Sequence, residues 1–456
     1  MKSSSTISPV MAKLSAYIAG AAKKPLPAEV VECAKIHLVD TVGAIISGSR
    51  LLPGREAYKY IKAQGGRKEA GVMGTRLITS APNAAFANGM FAHADETDDS
   101  HAPSRTHPGA SVVPSALAIG ERDGLSGKVL LRAMVLGYDV CTRMLLAMDQ
   151  LKFRYTGHHA SSFGGVFGAA TAAASLLGLD ARRTRYLLSY AAEQAAGLYS
   201  VHRDSRHIEK SFAMGGMTAH NGTAAALMVA SGFTGVDDVF SGDRDFFHTF
   251  APAADRSRLV AGLGRDYEIM RCGIKRWSVG GPIQGPLHVL HDLIRQHGLK
   301  AQDIEKIKAW MPEKELETVD NRDMPNICVQ HLLAVMAIDG TVTLQAANDH
   351  LRLKAREVLA VRKRVEVVGD PKLTNALRRW CCVMEITLKN GRKLKHQTMA
   401  AKGSPENPLN RRDEEEKALG LIAPVLGKRR AQALLAALWN FDRIKDVRSL
   451  RKLSCA

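Results

Sequence analysis

Between Phe91 and Gly109 the chain reads FAHADETDDSHAPSRTHPG, where His93, His101 and His107 are interleaved with Asp95, Glu96, Asp98 and Asp99; Glu121 follows one helix further on. A neutral imidazole beside carboxylates can act as a general base near neutral pH, because its ordinary pKa lies close to that range and the acids set its tautomer and charge. His107 is followed by Pro108, Gly109 and the helical run ASVVPSALAIGE, which puts it at a helix entrance where backbone N–H groups also favour anions. A plainer reading has Asp98, Asp99 and Ser100 capping helices and satisfying buried amides. A second imidazole source, His158 and His159 in RYTGHHASSFGG, precedes a glycine-rich helix start and suits metal ligation, acid–base work or bare surface alike. Lys210 in HIEKSFAMGGMTAHNG and Lys275 in CGIKRWSVGGPIQGP stand in apolar or glycine-rich surroundings. An ammonium there can bind a carboxylate or polarise a carbonyl, although for either lysine alone solvent exposure is the default.

The elements that must position these groups fall into two kinds. Up to about residue 265 apolar residues recur at helical spacing: Val31, Ala34, Leu38, Val42 and Ile45 between Pro27 and Gly48, then Leu130, Met134, Val135 and Tyr138, then small-residue runs such as GGVFGAATAAASLLGLD. Beyond it the period shortens. IEKIKAWMP sets Ile307, Ala309 and Met311 on one strand face, RVEVVGDP offers Val365 and Val367, and VMEITLKNGRKLKHQ alternates through Met384, Ile386 and Leu388 to an Asn390-Gly391 turn, a strong hairpin signal. Helical runs interrupt these strands, and the tail returns to helical period. The expected fold is mainly α with a smaller α+β domain: residues 1–265 plus 405–456 form an all-helical domain from both chain ends, with an α+β domain at 266–404 inserted between.

Composition bounds the function. With 46% apolar residues over 456 positions the chain is globular and long enough for two domains. Its seven cysteines show no metal-binding spacing, which suits a reduced cytoplasmic protein, and no stretch approaches the roughly 20 apolar residues of a membrane span. The net charge of +18 sits heavily after residue 350, in LRLKAREVLAVRKRVEVV, LRRW, NGRKLKHQ and GKRRAQ. It comes without stacking aromatics or a nucleic-acid motif, so solvated surface with modest anion steering is expected, and neither nucleic acid nor membrane as partner. No dinucleotide fingerprint, Walker loop, HExxH or GxSxG is present.

The segment HADETDDSHAPSRTHPGASVVPSALAIGE resembles the signature of the MmgE/PrpD family, usually His-Ala-Leu-Asp-Phe-Asp-Asp-Thr leading to His-Pro. The resemblance continues in order through GHHASSFGGVFGAATAAASLLGLD, KSFAMGGMTAHNGTAAALMVASGFTG, IKRWSVGGPIQGPL, VDNRDMPNICVQHLLAVMAIDG and GSPENPLNRRDEEEKALGLIAPVLG, spanning nearly the whole chain. It implies a homodimeric, cofactor-free lyase or isomerase of small polycarboxylates, as 2-methylcitrate dehydratase and cis-aconitate decarboxylase are, with no metal. By position it assigns His107, His159, Lys210 and Lys275 to catalysis, and Glu96, Asp98, Asp99, Ser100, Gln284 and His331 to substrate binding or support. The chain departs from the usual pattern at Thr97, which replaces an aromatic, at Ala160, where proline is frequent, and after Lys275, where Gly280, Gly281 and Gln284 stand and no histidine follows closely.

The resulting expectation is a dehydratase-type lyase. Lys210 and Lys275 hold substrate carboxylates, His107 takes a proton from the neighbouring carbon, and His159 donates to the leaving hydroxyl or the developing carbanion. The same groups acting on a related substrate would decarboxylate or epimerise. Two rivals remain: a metal-dependent hydrolase using His93, Asp95, Asp99, His101 and His107, and a non-catalytic basic binding protein.

Overall fold

A computed structural model describes residues 7–149, 153, 156–375 and 379–456. Arg154 and Tyr155 of the histidine-pair segment, and Leu377 and Arg378 of one basic run, lie outside these. The fold is mainly α, with about 60% helix and a smaller α+β part. The chain divides into two compact units, the first formed by Met1–Ala94, Asp98–Cys272 and Glu414–Ala456, the second by Asp95–Thr97 and Gly273–Asp413. Among the described residues no helix is long and apolar enough to cross a membrane.

Unit 1 is helical. Ser8 caps α1 (Pro9–Ala21), its hydroxyl accepting the Met11 N–H. In α2 (Ala28–Gly48) the spaced residues Ala34, Leu38, Val42 and Ile45 are fully buried, as the helical period predicts. Next come α3 (Leu52–Gln64), a two-strand ribbon β1 (Ala70–Gly71) and β2 (Ile78–Thr79), α4 (Ala81–Ala92), α5 (Gly109–Asp123), α6 (Gly127–Ala147), α7 (Ala160–Leu176), α8 (Ala181–Glu193), the short α9 (Ile208–Ser211) and α10 (Met217–Ala230). Small residues let these helices touch backbone to backbone. A Cβ at Gly137 would lie 2.9 Å from the Gly168 carbonyl oxygen, and one at Gly168 2.8 Å from that of Gly137, so α6 and α7 cross on a glycine pair. Chain-terminal helices complete this unit: Lys417 forms a buried ion pair with Asp40 of α2, and Arg451 a part-buried one with Glu121 at the far end of α5.

Unit 2 holds a four-stranded sheet in the order β4-β3-β5-β6, with β3 (Ile304–Pro312), β4 (Val365–Asp370), β5 (Cys382–Leu388) and β6 (Lys393–Thr398). β3 runs parallel to β4 and antiparallel to β5, and β5 turns into β6 through Gly391 at φ 82°. The alternation read in the sequence holds: Ile307, Ala309, Met311, Met384 and Ile386 are fully buried. They pack in one core with Leu287 and Leu290 of α11 (Gln284–His297) and Leu332, Leu333 and Val335 of α13 (Val329–Asp339). The parallel crossover from β3 to β4 contains α12 (Glu313–Val319), α13 and α14 (Arg356–Arg362).

Candidate active site

The acid- and histidine-rich loop is buried. His93, Asp95, Asp98, Asp99 and His101 are fully inaccessible, and only His107 among its imidazoles keeps partial exposure, 15% of its side chain. Charges taken out of water must be paired, so each acid's partner reports its task. In unit 1, Asp98 Oδ2 lies 2.8 Å from His93 Nδ1 and 3.2 Å from His107 Nδ1. One carboxylate oxygen thus faces two imidazoles. A carboxylate at Nδ1 favours the tautomer with its proton there, which leaves the lone pair of His107 on Nε2.

Asp99, next in sequence, does something else. Its Oδ1 accepts the Gly109 N–H at the start of α5 (3.0 Å), while Oδ2 accepts the Tyr138 hydroxyl of α6 (2.6 Å) and faces His37 Nδ1 of α2 (2.8 Å). Burial alone would push the His37 imidazole down, but the hydrogen bond to Asp99, aided by Cys33, holds it up at about 10. Burial, with the Asp99 charge, raises the Tyr138 phenol. Asp99 is therefore a helix cap and loop anchor, the plainer of the two readings, while Asp98 faces the histidines.

The other family-matched residues of unit 1 attach to this cluster. The His107 N–H donates to Ser161 Oγ (3.1 Å) on the first turn of α7, whose N-cap is His159. His159 Nδ1 pairs with Ser162 Oγ (3.1 Å), and its ring lies 5.3 Å from that of His202. Lys210, 4% exposed, sits on α9, whose entry residue His207 adopts φ 62°. Asp204 Oδ2 accepts the N–H groups of Glu209 (2.7 Å) and Lys210 (3.2 Å), and Ser211 Oγ donates to the His93 carbonyl (3.2 Å). The His93 ring lies 5.3 Å from both the His107 and the His207 rings. A π-helical turn, Phe212–Gly216, follows α9 and meets α4 backbone to backbone at Gly215 and Gly89. Hydrogen bonds of the backbone and of neighbouring residues thus tie together the segments that carry His107, His159 and Lys210.

Lys275, Glu96, Gln284 and His331 belong to unit 2. Lys275 is fully buried, and its Nζ donates to the Glu96 carbonyl (2.8 Å) and stands 3.5 Å from the Glu96 carboxylate. Glu96 takes φ 58°, which turns both oxygen groups of one residue to the same ammonium. Thr97, the departure from an aromatic, accepts the Ser278 hydroxyl at 2.8 Å, so its own buried hydroxyl is satisfied. Gln284 is committed to the backbone: its Oε1 accepts the N–H groups of Arg276 and Trp277, and its Nε2 donates to the carbonyls of Trp277 and Val279. It braces the segment after Lys275. His331, on α13, is fully buried, and Ser100 in unit 1 is buried beside Asp99 in the chain.

The hydrolase ligand set does not assemble in unit 1. His101 pairs with Ser104 (2.7 Å) and with Glu268 (3.3 Å); burial pushes the Glu268 carboxyl up, but the His101 hydrogen bond together with the charges of His101, Arg143 and Arg271 holds it below its usual range. Asp99 is consumed as described. His93, Asp98 and His107 do offer ligand atoms within 4.8 Å of one another, a spacing that also suits a shared proton. Glu121, held by Arg451 and the Gly71 N–H, is structural. Sequence reasoning gave no role in the loop to His37, Tyr138, Asp204 or His207; the spacing of His207 three residues before Lys210 was the one available signal.

The sequence of this site has relatives. The MmgE/PrpD N-terminal domain matches residues 12–258 and the MmgE/PrpD C-terminal domain residues 277–442. The cis-aconitate decarboxylase of Homo sapiens is 24% identical over 444 residues, 93% of this chain and 90% of its own. That of Aspergillus terreus (strain NIH 2624 / FGSC A1156) is 24% identical over 364 residues, 72% of each. The cis-aconitate decarboxylase-like protein oryM of Aspergillus oryzae is 26% identical over 304 residues, and the match spans 63% of this chain and 62% of that protein. With both family domains matched in order, the chain belongs to the MmgE/PrpD family.

Proposed function

We propose that this protein is a cofactor-independent lyase of small polycarboxylates that moves a proton at the carbon next to a carboxylate. The observation that carries the reading is Asp98 between His93 and His107, a buried carboxylate orienting a partly exposed imidazole. His107 Nε2 takes the proton, and the carboxylate stabilises the imidazolium that forms. A lysine ammonium at a substrate carboxylate offsets the charge that opposes carbanion formation. Lys210 has this role in unit 1, and Lys275 is the corresponding cation of unit 2. In dehydration the C–H electrons form the double bond as hydroxide leaves, and a proton from His159 completes the water.

A second reading, decarboxylation, is supported by the names of the relatives, cis-aconitate decarboxylases at 24% identity. There the C–CO2 bond breaks, its electrons stay on carbon, and an imidazolium returns the proton.

Turnover of a panel of hydroxy and unsaturated di- and tricarboxylates, followed by both alkene formation and CO2 release, tests the proposal. H107Q and K210M are expected to lower kcat/KM by about 100- to 10,000-fold with the circular dichroism spectrum retained. Unchanged turnover in both variants would overturn it.

A further inference from the structure

The basic run LRLKAREVLAVRKRVEVV, read from the sequence as solvated surface, forms a groove in unit 2. A cavity of about 480 Å3 is lined by Arg356, Leu359, Ala360, Arg362 and Lys363 of α14 and its end, with Asn321 beyond α12. Arg356, Leu359, Ala360 and Lys363 follow i, i+3, i+4, i+7 spacing, which places them along one helix face, with two cations about 10 Å apart along the axis and an apolar floor between. Leu359 is 38% exposed. Among the described residues no carboxylate lines the groove. Among the described residues neither Arg356 nor Lys363 has an ion-pair partner, and Arg362 has one acceptor, Asn321 Oδ1 at 3.1 Å. The contrast with nearby cations is informative: Arg352 is held bidentately by Asp339 at 2.6 and 2.7 Å, and Lys306 and Lys308 both pair with Glu366. Three uncompensated cations over exposed apolar atoms, in a volume within the roughly 300–1,000 Å3 of small-molecule sites, favour a ligand with separated anionic groups.

The groove is wired to α13. Asn321, at φ 46°, donates its N–H to Gln330 Oε1 (2.9 Å), and Gln330 Nε2 donates to Asp320 Oδ1 (2.5 Å). The next residue is His331, fully buried, with no hydrogen-bond partner for either ring nitrogen among the described residues. Burial first, then Arg362 and Arg352, push its imidazole down to about 4, against the pull of Asp349. Arg352 is already neutralised by Asp339, so Arg362 is the cation whose field a bound anion would change.

We propose that this groove binds a small molecule bearing two or more carboxylate or phosphate groups on a short frame, and that its occupancy is transmitted to His331 through Arg362, Asn321 and Gln330.

The test is calorimetric titration of the whole protein with pyrophosphate and, separately, with citrate, in wild type, in R356Q/K363Q and in K210M. The K210M arm separates the groove from the carboxylate chemistry proposed above, so failure here leaves that proposal standing. Saturable binding of at least one probe is expected in wild type and K210M, weakened about tenfold or more in R356Q/K363Q, whose changes lie on exposed side chains. The preferred probe distinguishes phosphate from carboxylate ligands. Imidazole NMR signals of His331, assigned by H331F, should move on addition of that probe to wild type and stay in place in R356Q/K363Q. Absence of saturable binding, or binding equal in wild type and R356Q/K363Q, would overturn the site; bound probe with unmoved His331 signals would overturn the coupling.

Discussion

The histidine cluster of unit 1 and the Lys275 segment of unit 2 handle buried charge in opposite ways. In unit 1 one carboxylate oxygen serves two titratable imidazoles, and the receiving group, His107, retains partial exposure. In unit 2 a permanent cation is fully buried and held by both oxygen groups of Glu96, with Gln284 and the Thr97–Ser278 pair bracing the backbone on either side. The first arrangement is suited to moving a proton. The second is suited to keeping a charge in place, and the difference between a movable and a fixed charge is what the substitutions below exploit.

The largest effect is expected at Asp98. D98N replaces the carboxylate that is hydrogen-bonded to His93 Nδ1 and lies 3.2 Å from His107 Nδ1 with a neutral group that can donate, which disfavours the Nδ1–H tautomer of His107. A fall in kcat of about 1,000- to 10,000-fold is expected in steady-state assays, the scale found where a carboxylate orienting a catalytic histidine is made neutral. Loss of a few-fold only would place Asp98 with the structural acids.

D99N comes next and should behave differently. It leaves the buried His37 without its carboxylate, so the imidazole must either stay charged and unpaired or give up its proton, costing up to about 3–5 kcal/mol in denaturant unfolding. The kcat of the protein that remains folded should stay within a few-fold of wild type. The gap between wild type and D99N has a pH signature. His37 has a folded pKa of about 10, above its ordinary 6.5, so its stabilising contribution is fully present below pH 6.5 and is lost as pH rises through 10. Unfolding curves at intervals from pH 6 to 10 should show the gap narrowing upward, and a constant gap would remove His37 from the account.

The smallest effect is on the fixed-charge side. S278A deletes the donor to Thr97 Oγ1 and should cost about 1 kcal/mol of stability, with KM and kcat changed less than threefold. A larger change in KM would show that the brace also sets the position of Lys275.

Much of this was legible in the sequence. The strand faces at Ile307, Ala309 and Met311, the Asn390-Gly391 turn and the helix entrances after His107 and His159 all follow from local spacing, and the structure places them accordingly. What spacing could not give was the separation of Asp98 from Asp99. Adjacent side chains in an irregular loop point apart, and the partners that decide their roles, His37 and Tyr138, are 62 and 39 residues away from Asp99. Gln284 was expected among substrate-binding or supporting residues; its hydrogen bonds to the backbone at 276–279 make it a brace. The basic run after residue 350 was read as surface, because sequence shows where cations lie and not which of them find acids.

Exchange of solvent deuterium into the carbon next to a carboxylate, followed by NMR in the recovered polycarboxylate held at equilibrium with its dehydration product, or in the product itself where CO2 is lost, reads the proposed proton transfer in either branch. Wild type should incorporate deuterium at that carbon, and H107Q, folded and at equal concentration, should lose about 100-fold or more of the rate. Incorporation at an undiminished rate in H107Q would contradict the assignment of His107 as the group that carries the proton.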